Sequence, residues 1–445
     1  MLINSILSNM QKRLLYVYNN SYILKNIDWL IFVNIVLLIL SSTICQSDNI
    51  GYFAIFVIIL TAIKLCSQPG AHFTMTRGDK FLLLYFLIVL ISVAGSSLLA
   101  LSLKGFCKTV VYLGLYISVI QYLKDNKGMI KYILLTIALA AFGETLIAFQ
   151  QNFLSVSEIS GWQDVSRLNP EEVMTRVYGS LKPYNPNLFG GYMLAVVPTI
   201  LTSVFLPLRN RHYKTALCGF LFFVMAAVAI ILTGCRGAYI GLFVECLVLS
   251  IFTYNILKPY YKKLFTFISG ICISIISLIV ITLPALRARI FSIFAMRNDS
   301  SNSFRFNVYH SCLDMFKDNW LLGIGVGNQN FREIYGLYMK TGFDALSAYN
   351  IYLEIAVESG IFALITFIAF IYDNLSKAVN FILKRHSVKS IYLIITLTSI
   401  TGILIHGFVD TVFFRPQIQF IFWIMIGIIR VLTNSRSVLN VEIRN

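Results

Sequence analysis

From Asp28 to Leu432 the chain is a near-continuous succession of apolar runs, most of them long enough to cross the roughly 30 Å hydrocarbon core of a bilayer as a helix. No other feature constrains the fold as tightly. Inside lipid every backbone polar group must find its partner within the protein, which leaves helices or closed barrels. Strand-type alternation is absent and the runs are unbroken, so helices are implied. Hydrophobic residues make up 58% of the chain and charged residues 13%, too little charge to cover a water-facing surface. The expected fold class is all-α: a polytopic membrane helical bundle of about twelve transmembrane helices, ten to twelve by where the runs are divided, with a large outward-facing helical loop.

The expected spans lie near 28–45, 51–66, 80–100, 105–123, 129–150, 188–206, 214–234, 237–255, 264–283, 347–372, 390–409 and 416–432. This divides the chain into an amphipathic N-terminus (1–27) and a bundle of about nine spans (28–283) that includes a loop at 151–187. A large loop (284–346), three further spans (347–432) and a tail (433–445) follow. In 1–27, Ile3, Leu7, Met10, Leu14 and Val17 recur at helical spacing with Lys12 and Arg13 elsewhere on the wheel, the pattern of an interfacial helix.

The net charge of +16 does not point to nucleic acid. No basic stripe interleaved with aromatics sits on a soluble module. Instead, short clusters such as Lys12–Arg13, Lys124–Lys127–Lys131, Arg209–Arg211–Lys214 and Lys258–Lys262–Lys263 fall between spans in alternate loops. That is the positive-inside bias. It places both termini in the cytoplasm and both long loops outside. The eight cysteines include no C-x-x-C pair, and the five histidines lack ligand spacing. The pattern therefore indicates neither a disulfide framework nor a metal site, and no cofactor is expected.

The stretch from Pro284 to Gly360 is the longest polar interruption, carrying Arg287, Arg289, Arg297, Arg305, Lys317, Arg332 and Lys340. Ordering so long a loop costs roughly 1–2 kcal/mol of backbone entropy per residue, so a binding role is expected of it. Within it, Val308, Cys312, Met315 and Phe316 predict an amphipathic helix over 303–320. The Gly323, Gly325, Gly327 turn ends that helix, and a second short one is expected from Asn330 to Lys340. His310 lies beside Arg305 on the first of these helices.

Arg236, between two spans in Thr233-Gly234-Cys235-Arg236-Gly237, is either a snorkelling interfacial arginine or a guanidinium that flanking glycines expose to an anion. Arg176 precedes Asn185-Pro186-Asn187, a helix entry with Asn187 as the expected cap. Tyr349-Asn350 opens a span that also holds Glu354 and Glu358, four residues apart on one helical face. Intramembrane acids are costly and point to function or tight pairing. Glu144, Glu245, His406 and Asp410 raise the same question, and Asp410 with Arg415 is a candidate ion pair.

Together these residues resemble the O-antigen ligase and polymerase superfamily of multi-span bacterial proteins, over roughly 170–430. Arg236-Gly237 looks like the family's signature at that span junction, and Arg176…Asn185-Pro186-Asn187 is similar to its preceding loop. The family's His-Asn, nine residues, then Gly reads here as Tyr349-Asn350, nine residues, then Gly360. The resemblance implies a multi-pass protein of the bacterial cytoplasmic (inner) membrane. It would be a metal-independent glycosyltransferase whose partners are a polyprenyl-pyrophosphate-linked glycan and membrane lipid. Arg176, Arg236, Arg305 and Arg332 would hold the pyrophosphate, supported by Asn185, Asn187, His310 and Glu358. Tyr349, Asn350 and Glu354 would occupy the catalytic positions.

The family histidine is replaced by Tyr349. A tyrosine near pKa ~10 is a far weaker base at neutral pH than a histidine near ~6.5. Either Glu354 or another carboxylate substitutes, or the chain does not catalyse transfer. The runs around Arg289–Phe294, Gly323–Gly325 and Leu346–Tyr349 look most like a sub-branch described as inorganic-carbon (bicarbonate) transporters. That makes transport of a small anion the rival reading, and a site near the bilayer midplane is what it requires.

Overall fold

The computed structural model describes residues 2–153, 176–295, 297 and 299–434. It begins with α1 (Leu2–Asn20), α2 (Tyr22–Lys25), α3 (Ile27–Ile44), α4 (Ser47–Ser67), α5 (Asp79–Ala94), α6 (Leu99–Asp125) and α7 (Ile130–Phe153). Next come α8 (Pro186–Val196), α9 (Thr202–Arg209), α10 (Tyr213–Leu232), α11 (Arg236–Ile256), α12 (Pro259–Thr282) and α13 (Pro284–Phe291). The chain closes with α14 (Ser300–Asn319), α15 (Asn328–Tyr335), α16 (Ile351–Lys384), α17 (Val388–His406) and α18 (Pro416–Thr433). Among the described residues there is no strand.

Among the described residues, eleven helical stretches are long and apolar enough to cross a membrane. The twelfth expected span, 80–100, is the 16-residue α5, about 24 Å long at 1.5 Å per residue. It is shorter than the apolar run because the backbone leaves the helix at Gly95. The α8–α9 stretch is one span made of two helices. Between them Val197–Leu201 tightens to a 3-10 segment, where Pro198 has no N–H to continue the α pattern.

The main core is an apolar cluster in a bundle where α17 packs against α11, α18 against α6, and α16 against α5, and a second cluster around Val308, Cys312, Met315 and Phe331 lies within the long loop. The α8–α9 and α18 spans are the most deeply buried. In contrast, no residue of α12 is buried. Helix α1 packs on α4 through Leu7 and Gln11, and Gln11 Nε2 donates to the Leu65 and Ala71 carbonyls. Most of the loop expected at 151–187, namely 154–175, lies outside the described residues, as does the tail beyond Asn434.

The span expected at 347–372 begins at Ile351 and is interrupted at Gly360, whose φ of 79° and ψ of 174° suit only glycine. The break frees the Val357 and Glu358 carbonyls and the Ile361 N–H from helical partners. The segment after α14 takes all three: Ile324 N donates to Val357 O at 3.0 Å, Gly325 N to Glu358 O at 2.9 Å, and Ile361 N to Trp320 O at 2.9 Å. Ser92 Oγ, on α5, adds a bond to Glu358 O at 2.8 Å. The close approach also needs glycine, because a Cβ on Gly360 would sit 2.2 Å from Leu321 O. The triple-glycine turn is therefore a packing device that seats the long loop on the broken helix.

Candidate functional site

The site is built around the turn joining α10 to α11. Thr233 Oγ1 donates to Ile230 O and accepts from Cys235 N at 3.0 Å, and Gly234 between them takes φ of 61°. Its missing Cβ also eases the approach of Arg176, whose side chain would sit 3.1 Å from a Cβ placed there. Arg176 Nε donates to Thr233 O at 2.7 Å and its Nη2 to Asn187 Oδ1 at 2.7 Å. From the opposite side, Arg289 of α13 donates through Nε to Gly234 O at 2.7 Å.

Arg236 is the first residue of α11. Its Nη1 donates to Ser292 O at 3.1 Å, and its Nη2 pairs with Asp299 Oδ1 at 2.8 Å. Asp299 also caps α14, accepting from Asn302 N at 2.9 Å. Gly237 does not open onto solvent. A Cβ there would press on Val409 and His406, so this glycine seats α11 against the end of α17.

Arg305, five residues into α14, extends the group toward the start of α16. Its Nη2 lies 3.5 Å from Asp410 Oδ2, and its guanidinium carbon sits 5.7 Å from the centre of the Tyr349 ring. The Arg305 Nε is buried with no hydrogen-bond partner. Asp410 thus pairs with Arg305, not with Arg415 as the short spacing suggested. Its other oxygen accepts from Thr411 N at 2.7 Å and Val412 N at 3.2 Å. Behind the turn, Cys235 Sγ lies 3.5 Å from His406 Nε2, and both side chains are buried.

Charge crowding shows in the titration of these groups. Burial, then the charges of Arg176 and Arg236, pulls Arg289 below the usual arginine value. Burial likewise lowers Arg176, with the charges of Arg236 and Arg305 adding to it. Burial pushes the Asp299 carboxyl up, but its bonds to Arg236 and Asn302 N and the charges of Arg236 and Arg289 outweigh that and hold it low. Burial and the Asp410 charge raise Tyr349 against the pull of Arg305, which moves it further from acting as a base.

The structure therefore brings Arg176, Arg236, Arg305 and Asn187 into one neighbourhood. Asn185 stands beside it as the cap of α8, accepting from Asn187 N at 2.7 Å. The expected cap, Asn187, is the second residue of the helix, because Pro186 takes the first position, where its missing N–H costs nothing. Asn350 caps α16, accepting from Tyr352 N at 2.9 Å and Leu353 N at 3.0 Å while its Nδ2 donates to Phe408 O. Tyr349, at φ of 49°, presents its carbonyl to Tyr309 Oη at 3.1 Å.

Glu354 and Glu358 are tied to backbone. Glu354 Oε2 accepts from Ala348 N at 3.0 Å, and Glu358 Oε1 accepts from Gly327 N at 2.9 Å. The two acids thus fasten the loop to the broken helix. Arg332 stands apart in an exposed pair with Asp344 at 2.9 Å, and His310 meets Arg297 at the surface. Arg289 and Asp299 were not singled out as site residues by the sequence. Nothing in spacing separated Arg289 from Arg287 or Arg297; only its bond to the turn does.

These features define an all-α, multi-pass membrane protein with an arginine-lined site where several spans end together. Residues 221–368 match the family model described as O-Antigen ligase. Over that stretch the chain is similar to O-antigen ligases, and the matched residues include Arg236, Arg289, Arg305, Tyr349 and Gly360. No curated protein matches the chain.

Proposed function

We propose that this protein transfers a glycan from a polyprenyl-pyrophosphate carrier to an acceptor hydroxyl at the outer face of the bacterial cytoplasmic membrane. The observation that carries this reading is the convergence of four guanidinium groups, Arg176, Arg236, Arg289 and Arg305, from four separate segments around one turn. Two carboxylates, Asp299 and Asp410, stand among them. A surplus of fixed cations, already ordered by backbone carbonyls, suits a pyrophosphate whose charge grows as it leaves.

In the reaction the acceptor oxygen attacks the anomeric carbon. The bond from that carbon to the phosphate oxygen breaks, and the electron pair stays on the pyrophosphate. The hydroxyl proton needs a base. Tyr349 is raised away from that role, while the Glu354 carboxylate is buried and bonded to Ala348 N. Asp410 is the remaining carboxylate beside both Arg305 and Tyr349. Once Arg305 turns to the phosphate, Asp410 is free to take the proton.

The arginines sit at span ends and not at mid-membrane, which favours transfer over anion transport. The test is transfer in vesicles containing purified protein, a polyprenyl-pyrophosphate glycan and an acceptor. Arg236→Ala should lose most of the transfer and Arg236→Lys part of it. Full transfer and donor binding by Arg236→Ala would sink the reading.

A further inference from the structure

The bundle has a second feature at the opposite end from the arginines. Helix α18 starts at Pro416, ten residues after His406, and carries Arg430 in its last turn on the far side. Arg430 pairs there with Asp79, the first residue of α5, at 3.3 Å. From that point a cavity of ≈ 230 Å³ runs between α5 and α6, lined by Leu82, Leu83, Phe86, Val110, Leu113 and Ile117.

The polar groups at its Asp79 end are already satisfied. Asp79 accepts from Tyr116 Oη at 2.6 Å and from Thr76 N at 2.6 Å, and Gln121 Oε1 accepts from Thr74 N at 3.0 Å. What remains to fill is apolar. Leu83 and Val110, on its walls, are exposed on the lateral surface of the bundle, which faces lipid in a multi-pass protein. On either side of Asp79, the exposed Arg77 and Lys80 form no ion pair among the described residues.

We infer that this crevice seats one acyl chain of an anionic membrane phospholipid, whose headgroup is held by Arg77 and Lys80. An apolar slot between spans matches a hydrocarbon chain, and two cations without acidic partners beside its polar end match a negative headgroup. Each such cation adds attraction to an anionic lipid when it lies near the membrane surface.

The experiment reloads delipidated protein from vesicles of equal phosphatidylglycerol and phosphatidylcholine and counts retained lipids by native mass spectrometry. The native chain should keep phosphatidylglycerol over phosphatidylcholine by about thirtyfold, the effect of two surface cations. Arg77→Gln with Lys80→Gln should erase that preference and keep some lipid of both kinds. Val110→Trp, which fills the slot, should lower retention of both. Equal retention of the two lipids by the native chain would overturn the headgroup assignment, and unchanged retention in Val110→Trp would overturn the slot. The native-chain ratio decides the first point even if a variant fails to fold.

Discussion

The two ends of the bundle handle buried cations in opposite ways. At one end Lys64 is held by Asp28 at 2.7 Å and Asp125 at 3.2 Å, and Arg430 by Asp79 at 3.3 Å and Asp373 at 2.6 Å. Each cation there has two carboxylates. At the other end Arg176, Arg236, Arg289 and Arg305 share Asp299 and Asp410 and otherwise rest on neutral groups, namely backbone carbonyls, Asn187 and the Ser292 and Ser301 hydroxyls. A saturated cation is a structural tie. An ordered but undercompensated group keeps attraction in reserve for an anion from outside, at the cost of mutual repulsion.

Removing a saturated cation tests that contrast most severely. Arg430→Ala takes the cation from Asp79 and leaves Asp373 to Lys377 alone. Breaking a buried pair from one side costs about 3–5 kcal/mol, so thermal unfolding in detergent should fall steeply. Donor affinity measured on the folded fraction should stay unchanged. A mild loss of stability would show that the two ends are alike.

At the arginine end the balance should reverse. Arg236→Ala should cost about 10²–10³ in transfer, as removal of one preorganised charge stabiliser does elsewhere, with a smaller shift in thermal unfolding. Should unfolding temperature and transfer fall in proportion, the arginine would be a tie like Arg430.

A milder change sharpens the comparison. Asp299→Asn keeps the α14 cap, because asparagine caps about as well as aspartate, and removes one compensating charge beside Arg236. Inorganic pyrophosphate should then bind about threefold tighter, within the range of a partly exposed pair, and the gain should shrink with salt. Weaker binding would mean that the Asp299 charge is needed to hold Arg236 in place.

Much of this architecture was legible before any coordinates. Length and apolarity suffice for spans, because in lipid the helix is the local answer for each run taken alone. The exceptions are the places where one segment depends on another. The break at Gly360 hides within an apolar run, because only the approach of Leu321 and Ile324 makes it stable. Asp410 had Arg415 close by in sequence and pairs with Arg305 instead. Arg176 and Arg236 stood out through neighbouring Asn and Gly residues, while Arg289 lay among equivalent basics until the fold aimed it at Gly234 O. Arg332 had the same local credentials and ended in a surface pair.

Tyr349 supplies the smallest expected effect and the finest discrimination. Its ring lies against Phe304 and Arg305, and burial with the Asp410 charge raises its hydroxyl above the usual tyrosine value. The group therefore stays protonated throughout the working range. Its contribution is the ring face offered to the guanidinium, an attraction on the order of 0.5–2 kcal/mol. Tyr349→Phe keeps that face and loses only the hydroxyl, so transfer should hold within about threefold, where loss of a true base costs ~10²–10⁴. The pH–rate profile should show no limb above 10 that vanishes in the variant. A drop of a hundredfold, or such a limb, would make the hydroxyl the proton carrier and leave Asp410 as the partner that orients Arg305.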